Sequence, residues 1–194
     1  TGEALYEVPS VSGDRVAAQE TPAGLAPRIY VRDLDSVQLL GSPGSRQPSL
    51  DDGDSRRLVW IDPGSGSDEV WMHDFGNGAS TQLTASGRPK DGPRISGNWV
   101  AFRELQGDGT YQVALHDLGA GTTALVSSGP SVTTMAMSGD RLLWGTGGGS
   151  SVAMRRLSSG ETETILVGHD SLCMDVSGDW LVTLSTAFAL PDGR

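Results

Sequence analysis

His169 and Asp170 stand side by side in the segment VGHDSL, and an imidazole next to a carboxylate is the pairing that a hydrolase uses to draw a proton from a nucleophile. No Gly-x-Ser-x-Gly segment is present to present such a nucleophile, so the pair reads as loop structure. His73 and His116 each precede an aspartate, in EVWMHDF and YQVALHDL. Other copies of that pattern carry Arg32 and Arg155 in the same place. Residues that recur at one repeat position lie apart in a repeating fold, so the two imidazoles do not share a metal. Carboxylate pairs are the apparatus of glycoside hydrolysis, and Asp51, Asp52 and Asp175 are the candidates for it. The loops DDGDS and GSGSDE offer oxygen ligands for calcium. They lack the spacing of an EF-hand loop and read as solvated loops. The sequence assigns no catalytic residue, no metal site and no cofactor.

The elements that would position these groups come from an internal repeat. Five segments share a small or acidic residue, a glycine and an apolar run: SVSGDRVAAQE, SLDDGDSRRLVWID, RISGNWVAFRE, MAMSGDRLLWGT and MDVSGDWLVTLS. Their anchor glycines, Gly13, Gly53, Gly97, Gly139 and Gly178, are 40, 44, 42 and 39 residues apart. A second pattern follows the first four anchors, as RIYVRDL, EVWMHDF, YQVALHDL and SVAMRRL. In it Asp33, Asp74 and Asp117 fall 20, 21 and 20 residues past their glycines, and Arg156 takes that place in the fourth copy. Gly78, Gly121 and Gly160 then close a turn into another β-rich run. Each unit predicts four antiparallel strands. Val11, Leu50, Ile95, Met137 and Val176 recur just before the anchor and share one face, and Val16, Val59, Val100, Leu143 and Val182 are the apolar positions of the second strand. Four-stranded units of about 40 to 45 residues are the signature of a propeller, whose sheets bury their faces against one another.

The units PRISGNWVAFRELQGDGTYQVALHDLGAGTTAL and DEVWMHDFGNGASTQL resemble TolB-like propeller repeats and, more closely, the β-propeller repeats of archaeal and bacterial surface proteins. The resemblance covers nearly the whole chain. It implies a propeller, an extracytoplasmic location at the cell surface or in secretion, and a protein-contact role, and it carries over no catalytic residue. The expected architecture is all-β: one propeller domain over residues 1–194, with blades starting near Ser10, Ser49, Arg94, Ala136 and Asp175. The fifth unit is cut short at Arg194, while TGEALYEV looks like an outer strand. The expectation is five blades, the last shared between the chain ends, which would leave no open edge. An open fragment of a longer propeller is the alternative.

In that frame Ser10, Ser49, Arg94, Ala136 and Asp175 face the axis, and Arg94 with Asp175 could hold water, an anion or each other across it. Trp60, Phe102 and Trp144 match one another and read as core between blades. Trp99 and Trp180 follow their anchor glycines by two residues, next to the turn, where exposed indoles can stack on a ligand. Arg94, Asp175, Trp99 and Trp180 are the candidate ligand-binding residues.

Composition narrows the partners. Among 194 residues there are 27 Gly and 10 Pro, which break regular runs, and the formal charge of −10 repels nucleic acid and anionic lipid. Nothing approaches the ~20 apolar residues of a membrane span. Cys173 is the sole cysteine, so no internal disulfide forms. The reading is a binding or scaffold module for a protein or glycan at the cell surface, without catalysis. The alternatives are a lectin-like sugar binder and a five-bladed glycoside-acting enzyme, whose long pocket-building loops this chain lacks.

Overall fold

A computed structural model describes residues 5–64, 66–146, 151–167, 174–177, 180–183 and 187–189. They form strands and turns alone, in five antiparallel sheets. The first sheet holds β1 (Leu5–Ser12), β2 (Arg15–Thr21), β3 (Arg28–Arg32) and β4 (Val37–Leu40). The second holds β5 (Arg46–Leu50), β6 (Arg57–Asp62), β7 (Glu69–Asp74) and β8 (Ala79–Gln82). The third holds β9 (Lys90–Ser96), β10 (Trp99–Leu105), β11 (Tyr111–Asp117) and β12 (Thr122–Leu125). The fourth holds β13 (Val132–Ser138), β14 (Arg141–Thr146), β15 (Ser151–Arg156) and β16 (Thr162–Val167). The fifth shows β17 (Met174–Ser177), β18 (Trp180–Thr183) and β19 (Ala187–Ala189). Strands follow one another in sequence order across every sheet, which is the up-and-down meander of a propeller blade. No helix among the described residues is long and apolar enough to cross a membrane.

The first turns of the first, third and fourth blades show why glycine anchors the repeat. Gly13, Gly97 and Gly139 adopt φ of 52°, 54° and 55°, a region nearly closed to residues with a Cβ. In the second blade the turn is longer, and Ser55 (φ 56°) takes the left-handed position instead of Gly53. That shift moves the register: Leu50 pairs with Leu58, as Ile95 with Val100, Met137 with Leu142 and Val176 with Leu181. The equivalents of Val16 and Val100 are therefore Leu58, Leu142 and Leu181, whereas Val59, Leu143 and Val182 point to the opposite face.

Alternation along these strands builds the core between blades. Leu50 and Leu58 pack against Ala17, Ile29 and Val31 of the preceding sheet. Ile95 and Val100 do the same against Val59, Ile61 and Val70, Met137 and Leu142 against Ala101 and Val113, and Val176 and Leu181 against Leu143, Val152 and Met154. Trp60, Phe102 and Trp144 are buried, as their shared position predicted.

The two outermost faces break this pattern. Val11 and Val16, in the positions of Ile95 and Val100, are 69% and 39% exposed, and Val37 and Leu39 on the same face are exposed as well. At the other end Trp180 and Val182 are 58% and 50% exposed. Successive inner strands pack from β1 through β5, β9 and β13 to β17, and among the described residues no comparable packing joins β17 to β1. The expectation that the N-terminal segment completes the fifth blade is corrected for residues 5–8: they belong to β1, which pairs with β2. Thr1, Gly2 and Arg194 lie outside the described residues, as do Cys173 and Gly178.

Candidate functional site

The inner strands β1, β5, β9, β13 and β17 surround one axial cavity of about 510 Å³. Its polar wall includes Ser10, Ser49, Asp52, Arg94, Ser138 and Asp175. Ser10, Ser49, Arg94 and Asp175 stand where the repeat placed them. Ala136 does not: it is buried with Leu143 and Val152 between the fourth and fifth sheets, and Ser138 lines the cavity instead.

Bulges shape this wall. β1, β5, β9 and β13 each slip register in their first half, and in three of them a residue at positive φ sits two positions before the axial one: Val8 (50°), Gln47 (55°) and Gly92 (57°). A bulge re-aims the residues that follow it. Gly92 takes this conformation freely, and its N–H donates to the Gln47 Oε1 at 2.9 Å, linking two inner strands. Val8 is β-branched and pays steric strain there. Val8, Gln47 and Gly92 line a second, narrower cavity of about 180 Å³, and Arg94 lines both.

Arg94 differs from the other inner cations. Arg103 is held by Asp91 through two bonds of 2.6 and 2.8 Å, by the carbonyls of Val132 and Thr133, and by the Tyr111 ring. Arg57 donates to Asp51 at 3.1 Å. Arg94 makes one hydrogen bond among the described residues, from Nη1 to the carbonyl of its neighbour Pro93 at 2.9 Å. Of the roles open to Arg94 and Asp175, a mutual ion pair is not formed among the described residues, and Asp175 Oδ1 accepts the N–H of Val176 at 2.9 Å. Burial lowers the pKa of Arg94, while the field of Asp175 opposes that shift.

The acidic turn of the second blade proves structural. Asp51 is buried, accepts from Arg57, and reaches the Gly97 N–H of the third blade at 3.2 Å. Asp52 reaches the Gly139 N–H of the fourth blade at 3.2 Å. With Asp51 neutralised by Arg57, Asp51, Asp52 and Asp175 do not form an acid and base pair across the axis. In the loop GSGSDE, Asp68 is paired with Arg46 at 2.5 Å and Glu69 with Lys90 at 2.8 Å. Trp99 is half-buried against the third-to-fourth blade core, and Trp180 lies on the fifth blade. The two indoles form no common site. His73 and His116 are buried and bonded to Ser80 (3.0 Å) and Thr123 (2.8 Å), each within its own blade, and burial lowers both pKa values. His169 and Asp170 lie outside the described residues.

Sequence reasoning missed Lys90, which is fully buried against Glu69 (2.8 Å) and Glu104 (3.7 Å) and donates to Ser86 and the Arg88 carbonyl. It sits in KDGPRIS with nothing local to mark it; its partners come from the second blade and from β10. The Asp62 carboxylate was missed too. Burial pushes its pKa up, but donors on Ser42, Trp60 and Gly64 win and bring it to about 2.

No family model matches the sequence, and no curated protein does. Solved structures do share its fold. TolB from Acinetobacter baumannii is similar with a TM-score of 0.64 and 20% identity, over 84% of this chain and 44% of that one. Puromycin hydrolase gives 0.64 and 17%, over 85% of this chain and 29% of that one. Pyrococcus horikoshii acylaminoacyl peptidase gives 0.68 and 11%, over 92% and 35%. The chain spans less than half the length of each. The peptidases overturn the expectation of a binding or scaffold module without catalysis, because blades of the same fold also occur in enzymes and the fold carries no non-catalytic role by itself. What the likenesses establish is the architecture: this chain is built of β-propeller blades, as in TolB, which its repeats resemble.

Proposed function

We propose that the chain is the propeller segment of a peptidase, and that its axial cavity takes up an unfolded peptide for a catalytic part carried elsewhere. The observation that carries this reading is the cavity lined by all five inner strands. At about 510 Å³ it fits an extended stretch of a few residues and excludes a folded domain. Serine hydroxyls and carboxylates on its wall are matched to the N–H and C=O groups that every peptide repeats. The likeness in fold to puromycin hydrolase and acylaminoacyl peptidase, about a third of whose length this segment spans, supports the same reading. In this proposal the segment itself supplies no catalytic group. The proposal also puts it outside the cytoplasm, in keeping with the resemblance of its repeats to surface-protein propellers.

Fluorescence anisotropy of a dye-labelled, disordered peptide titrated with the purified chain tests this. Ser138→Trp places an indole in the cavity, and Thr122→Trp places one on an exposed outer strand. The expected result is binding that Ser138→Trp weakens about tenfold or more and Thr122→Trp leaves unchanged. Equal binding by both variants, or none by the parent chain, overturns the reading.

A further inference from the structure

We infer that Arg94 is a receptor for the terminal carboxylate of a peptide entering the axial cavity. The inference rests on the peptide-uptake reading and adds to it which end of the peptide is read and by which side chain. Two observations converge on Arg94. It stands on the innermost strand of the third blade and lines both the axial cavity and the narrower one. Among the described residues its guanidinium has a single hydrogen bond, to Pro93, while the nearby Arg103 and Arg57 are each matched to an aspartate. A guanidinium carries five donors in a planar fork, and a carboxylate fits two of them at once. Arg94 is thus a mostly buried cation with donors to spare, facing an opening and, among the described residues, hydrogen-bonded to no carboxylate.

The surroundings select the kind of anion. Asp52 and Asp175 line the same cavity, so the wall carries one cation and two carboxylates. A phosphate, with close to two negative charges, meets repulsion from both aspartates, whereas a single carboxylate on a neutral peptide meets less and can donate its backbone N–H groups to them. The field of Asp175 reaches Arg94, but its carboxylate accepts from the Val176 N–H and, among the described residues, forms no ion pair with the guanidinium, whose donors stay available. The bulge at Gly92 aims Arg94 at the axis, two residues downstream, and the Gln47 bond to the Gly92 N–H fixes that bulge.

The probes are dye-free N-acetyl-trialanine, as the free acid and as the C-terminal amide, each measured by calorimetric titration into the chain and into Arg94→Gln. Arg94→Gln removes a desolvated charge without orphaning a carboxylate, so it leaves the fold intact, checked by its unchanged melting curve. The parent chain is expected to bind the acid about tenfold tighter than the amide. Arg94→Gln loses that preference and keeps the affinity for the amide, and 10-fold excess inorganic phosphate fails to displace the acid. Equal affinity for acid and amide in the parent chain, a preference that survives in Arg94→Gln, or displacement by phosphate overturns the role of Arg94 and leaves peptide uptake standing. Failure of both tripeptides and of the longer peptide to bind overturns both.

Discussion

Val16 and Val100 occupy the same position of the repeat, pair with equivalent residues and have the same side chain, yet one is 39% exposed and the other fully buried. Truncating each to alanine isolates what a neighbouring blade contributes. Val100 packs against Val59, Ile61 and Val70, so Val100→Ala removes two buried methylene equivalents at about 0.8 kcal/mol each and leaves a cavity. The sum is about 2 to 3 kcal/mol. Val16 is 39% exposed and no blade packs in front of it among the described residues, so Val16→Ala loses part of the transfer contribution and opens no cavity, about 0.5 kcal/mol. For a chain of this length 1 kcal/mol corresponds to about 2–4 °C in Tm. Val100→Ala should therefore melt roughly 4–12 °C lower and Val16→Ala less than about 2 °C lower. Urea unfolding at matched m-values gives the free energies directly. A cost at Val16 equal to that at Val100 would refute the open first face, because it requires a blade seated on Val11 and Val16 in solution.

Other perturbations follow from the same geometry. Glu69→Gln should destabilise by about 3 kcal/mol in urea unfolding, the low end for breaking a buried ion pair because Glu104 stays 3.7 Å from Lys90; a cost under about 1 kcal/mol would count against the buried pair. Val8→Gly should raise stability by about 1 kcal/mol, since relief of left-handed strain outweighs the added chain entropy of glycine, and any loss contradicts the positive φ of 50°. His73 and His116 are kept neutral by burial, with folded pKa values below their unfolded one. Unfolding therefore takes up protons below about pH 6.5, and stability is full above that pH and falls as pH drops through it. The double change His73→Gln, His116→Gln should flatten the slope between pH 7.5 and 5, and an unaltered slope would contradict it. Asp62 acts lower: its share is present above about pH 4 and lost as pH falls toward 2, where Asp62→Asn should show no further acid loss.

The blades were legible in sequence because each is encoded locally. An anchor glycine at positive φ, an aspartate whose carboxylate caps the next turn and a period of two between them suffice to place four strands. Where the local rule bent, register was lost. Ser55 replaced Gly53 at the left-handed position, so Leu58 rather than Val59 aligns with Val100. In the fourth blade Arg156 cannot cap, and Asp140 across the hairpin does so through the Ser158 N–H at 2.6 Å. A pattern search along one strand misses that exchange. The axial positions were legible for Ser10, Ser49, Arg94 and Asp175, since alternation sets the face. What each side chain meets there was not, because it depends on bulges at Val8, Gln47 and Gly92 and on partners 40 or more residues away. Lys90 is the extreme case: the local sequence of a lysine on a strand says surface, and only the fold brings Glu69 and Glu104 around it.

The most direct test of peptide uptake is photo-crosslinking of a benzophenone-bearing, disordered peptide, with the adducts located by mass spectrometry. Met137 and Met174 lie on the cavity wall and are favourable sites for that chemistry. The account predicts adducts concentrated on these two methionines and on neighbouring inner-strand residues, suppressed in Ser138→Trp. Adducts confined to the exposed Val37 and Leu39 of the first blade or to Leu125 on an outer strand, with Met137 and Met174 unmodified, would contradict it.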